Sequence, residues 1–202
     1  MITMGIKAIL FDLGGVLIQL GGINKMMDWT GWDHDKFWRC WLASPSVRCF
    51  ESGKITTEEF GLALVEEFNL PVKVDDFLAL FASWPQGVYP GAEELLGKAG
   101  ALYPLGCLSN TNSLHWDYLI ERTQLIGYFD YLFPSHHTGL LKPDRLSFTN
   151  AADKMGLQPE QLLFLDDNQI NIAGATKVGL RSYLVKNAIH AGNILEELGI
   201  LG

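Results

Sequence analysis

Asp12, Ser109, Lys142 and the adjacent pair Asp166-Asp167 sit in four short patterns that follow one another along the chain. The patterns are Phe11-Asp12-Leu13-Gly14-Gly15-Val16-Leu17, Leu108-Ser109-Asn110, Lys142-Pro143 and Phe164-Leu165-Asp166-Asp167-Asn168. Brought together, these residue types can handle a phosphate ester around a divalent cation. Asp12 is the candidate nucleophile. A carboxylate attacks phosphorus once the negative charge on both partners is neutralised, and a cation between them does this as Lewis acid and template. Magnesium suits a site of one or two carboxylates completed by waters and the phosphate itself. Asp167, supported by Asp166, supplies the second carboxylate, and two adjacent acids closing an apolar run repel each other unless something neutralises them. The Ser109 hydroxyl and the backbone N–H of Asn110 are placed to hold phosphate oxygens with help from a helix dipole. Lys142 adds a movable point charge for the phosphate and the attacking carboxylate. Singly, each residue has an ordinary reading: Asp12 as an N-cap or turn former, Ser109-Asn110 as a turn, Lys142 as a surface lysine, Pro143 as a helix starter. Their ordered conjunction is what points to a site.

Residues this far apart in sequence converge only if a sheet carries them. Lys7-Ala8-Ile9-Leu10-Phe11, Leu105-Gly106-Cys107-Leu108 and Leu162-Leu163-Phe164-Leu165 are apolar runs that read as strands buried on both faces, and each ends at one of the patterns. Tyr131-Leu132-Phe133 and Arg181-Ser182-Tyr183-Leu184-Val185 are similar. Helical patterns lie between them. Residues 91–99 place Ala92, Leu95, Leu96 and Ala99 on one face, 143–155 opens with Pro143 and stops at Gly156, and 171–178 stops at Gly179. Strands alternating with helices predict right-handed crossovers and a parallel sheet covered on both faces. Such open sheets bind ligands beyond the carboxyl ends of their strands, where Asp12, Ser109 and Asp166-Asp167 fall.

Residues 21–88 differ. They hold five of the six tryptophans (Trp29, Trp32, Trp38, Trp41, Trp84) and no convincing strand. Phe37, Trp38, Trp41 and Leu42 fall at helical spacing in 35–42. Thr56 and Glu59 form a capping box ahead of Phe60, Leu64 and Phe68, and 75–83 reads as a third helix. The segment is expected to be a small helical bundle inserted after the first strand, with 1–20 and 89–202 forming the core domain. Pro85 and Tyr89-Pro90-Gly91 mark the return. Most of the tryptophans are expected in the bundle's core, with one or two lining a pocket.

The 202 residues suffice for such a core with one insertion. Apolar residues make up 48%, which argues for a large buried core. The net charge of −8 argues against nucleic acid or an anionic membrane as partner, both of which need clustered Lys and Arg. No leader or membrane-spanning stretch is expected from the sequence. Cys40, Cys49 and Cys107 match no zinc or disulfide spacing and read as reduced thiols of a cytoplasmic protein. Monomer and homodimer both stay open.

With these motifs in order over nearly the whole chain, the sequence resembles the haloacid dehalogenase-like hydrolase superfamily. The resemblance includes a Rossmann-like α/β core and a small helical cap inserted after the first motif. Tyr89-Pro90-Gly91-Ala92-Glu93-Glu94-Leu95-Leu96 looks like the family's re-entry into the core, and Phe50-Glu51-Ser52-Gly53-Lys54-Ile55-Thr56 like its cap loop. Asp12-Leu13-Gly14-Gly15-Val16, Ser109-Asn110-Thr111-Asn112 and Asp166-Asp167-Asn168 are most similar to the branch with α-glucose-1-phosphate phosphatases. The resemblance implies magnesium-dependent hydrolysis of a small phosphate monoester through an aspartyl-phosphate on Asp12. It also implies metal contacts from Asp12, Asp166, Asp167 and the Gly14 carbonyl. Arg48, Glu51 and Lys54 are candidate substrate contacts from the cap.

The chain departs from the family at Gly14, where most of its phosphatases carry a second aspartate that protonates the leaving oxygen and then activates water. Three outcomes follow: a substrate with a good leaving group such as an anomeric phosphate, replacement by a neighbour such as His115, or a weak enzyme that only binds phosphate. The shared Asp-Leu-Gly favours the first. A 2-haloacid dehalogenase is the main rival, since a halide needs no proton. Such enzymes work without metal, however, and Asp166-Asp167 would stand unneutralised. A receiver-like phospho-acceptor carries its acid pair early in the chain and no large insertion, unlike this sequence.

Overall fold

The computed structural model describes residues 5–202; residues 1–4, which open the expected core segment, lie outside the described residues. The chain begins with β1 (Ala8–Phe11) and β2 (Ile18–Leu20), followed by α1 (Ile23–Thr30), α2 (His34–Ala43), α3 (Pro45–Glu51), α4 (Thr57–Glu67) and α5 (Val74–Ala82). It continues through β3 (Pro85–Val88), α6 (Ala92–Gly100), β4 (Leu105–Ser109), α7 (Ser113–Arg122), β5 (Tyr131–Pro134) and the short α8 (Ser135–Thr138). The last elements are α9 (Arg145–Met155), β6 (Leu162–Asp166), α10 (Gln169–Val178), β7 (Arg181–Leu184) and α11 (Ala188–Glu197).

The expected parallel sheet is present, in the order β5-β4-β1-β6-β7. Alternate residues of its strands feed opposite faces, as the pleat requires. Ile9 and Phe11 join Leu95, Leu96 and Leu195 in one apolar layer, while Ala8 and Leu10 join Phe148, Ala151 and Ala175 in the other. Central β1 is therefore apolar throughout and wholly buried. Its register pairs Phe11 with Cys107 on one side and with Leu165 on the other. The next residue, Asp12, thus emerges beside Asp166 and one residue below the level of Ser109.

Residues 21–88 supply five helices among the described residues, and their own aromatic core includes Phe37, Trp41, Phe50, Phe60, Phe77, Phe81 and Trp84. Phe50 and Phe60 stack there with ring centroids 4.3 Å apart. The Thr56–Glu59 capping box forms with both of its hydrogen bonds. Short α1 and α3 escape a reading from periodicity because neither exceeds about two turns.

Three expectations need correction. A strand does occur within 21–88: β3 pairs antiparallel with β2, with a register shift between Gln19 and Leu20. Pro85 and Gly87 carry turn signals, and a strand containing them survives only at an edge. The helix expected from Pro143 starts at Arg145, with Asp144 at its N-cap, because the Lys142-Pro143 segment is committed to the site instead. The helix expected from Asn171 starts at Gln169, where the Asn168 side chain accepts from the Ile170 N–H at 2.9 Å. Cys107 is buried and Cys40 and Cys49 are half-buried, all three as free thiols. No helix among the described residues is long and apolar enough to cross a membrane.

Candidate active site

Lys142 is the hub of the polar centre. It is about 1% exposed, and its ammonium lies 2.9 Å from Asp12 Oδ1 and 2.6 Å from Asp166 Oδ2. Burial alone favours the neutral amine, but the attraction of both carboxylates outweighs it and holds the pKa above that of an ordinary lysine. The loop bearing Lys142 is fixed by Asn110, whose side chain donates to the Lys142 carbonyl at 2.9 Å and accepts from the Lys142 N–H at 2.8 Å. Asn110 thus acts through its amide on a loop 32 residues away, a pairing the sequence does not announce.

Asp12 follows β1 directly, with its Oδ1 accepting from Lys142 and, at 2.7 Å, from the Leu13 N–H. Burial is the main reason its pKa is pushed up to about 6; Lys142 opposes the rise and Asp166 adds to it. Asp166 is fully buried and accepts from Lys142, from the Asn168 N–H at 2.7 Å and from Asn171 Nδ2 at 3.1 Å on each oxygen. Asp167 reaches solvent, yet the protein crowded around it and the charges of Asp12 and Asp166 push its carboxyl upward. It approaches the first motif only because Gly15 has no side chain. Gly15 sits at φ +75°, and a Cβ there would meet Asp167 Oδ2 at 1.9 Å.

One oxygen from each of Asp12, Asp166 and Asp167 lies within 4.8 Å of the others. Three carboxylates with one lysine leave net negative charge, and Asn171 Oδ1 is buried beside them without a partner. An all-oxygen donor set with an orphaned acceptor fits a hydrated divalent cation. Asn171, five residues beyond Asp166 on α10, was not singled out from the sequence.

Asp12, Lys142, Asp167 and Asn171 line one cavity of about 100 Å³ together with Gly14, Ser109, Asn110 and residues of the helical segment, while Asp166 is fully buried and does not reach it. Ser109 is buried at the very end of β4, but the helix after it begins only at Ser113, so the expected helix N-terminus does not fall on Asn110. Trp38, Trp41 and Trp84 all line the cavity, more tryptophans than expected. Of the three candidate cap contacts, only Glu51 lines it. Arg48 pairs with Asp144 across the two halves, and Lys54 lies on the surface. The space beside Gly14 is also filled. A Cβ built there would meet Leu20 Cδ1 at 2.9 Å, so an apolar side chain from β2 stands where a second acid would begin.

His115 does not take that acid's place. Its Nε2 lies 2.7 Å from the Phe81 carbonyl, which requires the proton on Nε2, and Nδ1 then accepts from Asn112 Nδ2 at 3.3 Å. Burial lowers its pKa to about 4. The ring is a neutral bridge between α7 and α5.

Comparison with known proteins agrees with this geometry. An HAD family enzyme from Bacteroides thetaiotaomicron, solved with magnesium and inorganic phosphate, superposes with a TM-score of 0.71 at 26% identity, over 90% of this chain and 95% of that one. The (S)-2-haloacid dehalogenase of Pseudomonas putida is 25% identical over 191 residues, 86% of this chain and 82% of that protein. Acyl-CoA dehydrogenase family member 10 of Mus musculus is 29% identical over 95% of this chain. The chain spans only 19%, 15% and 37% of the lengths of the first curated relatives it matches. A family model for haloacid dehalogenase-like hydrolases matches residues 6–179. The chain therefore belongs to the haloacid dehalogenase-like hydrolase family.

Proposed function

We propose that this hydrolase is a magnesium-dependent phosphatase of small phosphate monoesters, acting in the cytoplasm, with the helical segment 21–88 as a cap over its site. The observation that carries the reading is the excess of acid over base: among the described residues, Asp12, Asp166 and Asp167 face one another with only Lys142 among them. A metal-free dehalogenase has no need of a third carboxylate. The magnesium and phosphate in the Bacteroides enzyme support the same chemistry.

In this reading Asp12, Asp166, Asp167 and the Gly14 carbonyl would hold the cation, which would supply charge neutralisation for the attack of a carboxylate on the phosphate. Asp12 Oδ1 is engaged by Lys142 and Leu13, so Oδ2 is the oxygen that attacks phosphorus. Lys142, Ser109 and the backbone N–H of Asn110 grip the phosphate oxygens. Trp38, Trp41 and Trp84 offer ring faces to the rest of the substrate, for which a sugar phosphate such as α-glucose-1-phosphate is the favoured class.

Phosphate release from p-nitrophenyl phosphate, α-glucose-1-phosphate and glucose-6-phosphate, with magnesium and with EDTA, tests the reading. Magnesium-dependent release is expected. Chloride release from 2-chloropropionate in EDTA, with no phosphate release, would instead establish the dehalogenase alternative, which Gly14 and the Pseudomonas relative favour. Asp167→Ala is expected to raise the magnesium concentration for half-maximal activity by about tenfold or more; an unchanged titration refutes that ligand.

A further inference from the structure

The phosphatase reading leaves a proton unaccounted for. Departure of an alkoxide needs an acid, yet Gly14 has no side chain, Leu20 fills the space beside it, and His115 is a neutral ring with both nitrogens engaged. The cap supplies one more candidate. Glu51 closes α3, is about 7% exposed, and lines the cavity shared by Asp12, Lys142 and the three tryptophans. Its helix is pinned to the core from both ends of its last turns. Arg48 pairs with Asp144, and Gly53 packs so close to the His136 carbonyl that a Cβ would meet it at 2.5 Å. The carboxyl is therefore held on the cap side of the phosphate site, where the ester oxygen and its organic group must lie.

We propose that Glu51, delivered by the cap, is the general acid and base of this enzyme in place of the residue missing at position 14. The proposal rests on the phosphatase reading. In the first half-reaction the Asp12 carboxylate forms a bond to phosphorus, the phosphorus–oxygen ester bond breaks, and the Glu51 proton passes to the departing oxygen. In the second, water attacks the phosphorus of the aspartyl-phosphate and gives its proton to the Glu51 carboxylate. The phosphorus–Asp12 bond breaks, and inorganic phosphate and the starting enzyme are restored. The alcohol takes the proton Glu51 lost, and water returns it.

The surroundings of Glu51 suit this task. Burial pushes its pKa up to about 8, so it carries a proton at neutral pH. The Trp41 indole N–H, which donates to it, and the charges of Lys142 and Arg48 act against the rise, while Asp12 adds to it. An acid here also widens the expected substrates, since alcohols that leave poorly come within reach.

The test compares wild type with Glu51→Gln on aryl phosphates of increasing leaving-group pKa, from 2,4-dinitrophenyl to phenyl phosphate, with magnesium saturating. The variant is expected to lose about 100-fold or more in kcat on phenyl phosphate. On 2,4-dinitrophenyl phosphate, where departure needs no proton, the rate of the phosphorylation step, read as release of the phenol in a single turnover, is expected to fall by less than about threefold. A loss in the rate of the phosphorylation step that is equal across the series, or none, overturns the role of Glu51 and leaves the phosphatase reading standing. Wild type that hydrolyses none of the esters overturns both. A readout without turnover comes from melting curves. The folded protein keeps a proton on Glu51 that the unfolded chain releases above about pH 4.5. That share of stability is present below this pH and is lost as pH rises toward 8. Gln does not titrate, so the Tm of the variant should stand above wild type at pH 8 and converge with it toward pH 5. A gap that does not change with pH overturns the proposal.

Discussion

Replacing Asp12 by Asn is expected to lower phosphate release by roughly 10⁴-fold or more while leaving the fold in place. An amide has no anionic oxygen to form the bond to phosphorus, so the loss belongs in kcat. The fold should tolerate the change for a structural reason. Asp12 is buried with its pKa already pushed up, mainly by burial, to about 6, so removing its charge also removes a desolvation cost. The Asn oxygen can still accept from the Leu13 N–H, and Lys142 keeps Asp166 as its partner. Acid-quenched protein incubated with substrate should carry a phosphoryl group in the wild type and none in the variant. Wild-type turnover in Asp12→Asn would remove Asp12 from the nucleophile's role, and a melted protein would show that its charge is structural.

Lys142→Met is expected to cost both activity and stability. Methionine matches the lysine stem in volume, so packing changes little and the charge is what is tested. Its loss leaves Asp12 and Asp166 in the interior with no cation between them, which typically costs about 3–5 kcal/mol. Urea unfolding without magnesium should show a lowered midpoint with an unchanged slope. The pH dependence has a definite sign. The folded pKa of Lys142 is raised, so its stabilisation is present in full below the ordinary lysine value and is lost only as pH climbs beyond that. The difference between the two proteins should therefore hold across neutral pH. Asp166→Asn in the Lys142→Met background should recover part of the loss, because it removes one of the two stranded charges. Equal unfolding midpoints for wild type and Lys142→Met would mean that water already screens the pair.

Much of this centre can be read from residue types because each acid closes an apolar run. A strand buried on both faces has no polar residue until it leaves the sheet, so Asp12 and Asp166 mark the carboxyl edge by their chemistry alone. Other parts depend on partners far away in sequence. Pro85-Gln86-Gly87-Val88 becomes a strand only because Ile18–Leu20 offers it an edge. Asn110 looks like a turn residue until Lys142 lies within its reach. Glu51 is one of three candidate cap contacts with Arg48 and Lys54, and nothing in the residue types says that it alone is buried at the cavity. The tryptophans had helical spacing and do pack the cap core, but spacing cannot say that Trp41 and Trp84 turn one side to that core and the other to the cavity.

The amide clamp of Asn110 on Lys142 has a consequence for how such an enzyme changes its diet. Asn110 follows β4, Lys142 precedes α9, and the carboxylates that fix the ammonium come from β1 and β6. Nothing in this clamp belongs to residues 21–88. Much of the wall that meets the organic part of the substrate, including Trp38, Leu42 and Glu51, lies within them, and Ile18, Leu20 and Leu119 complete it from the core. Selection can therefore redraw that wall around Glu51, exchanging one ester for another, without loosening the hold on the phosphate that all such esters share.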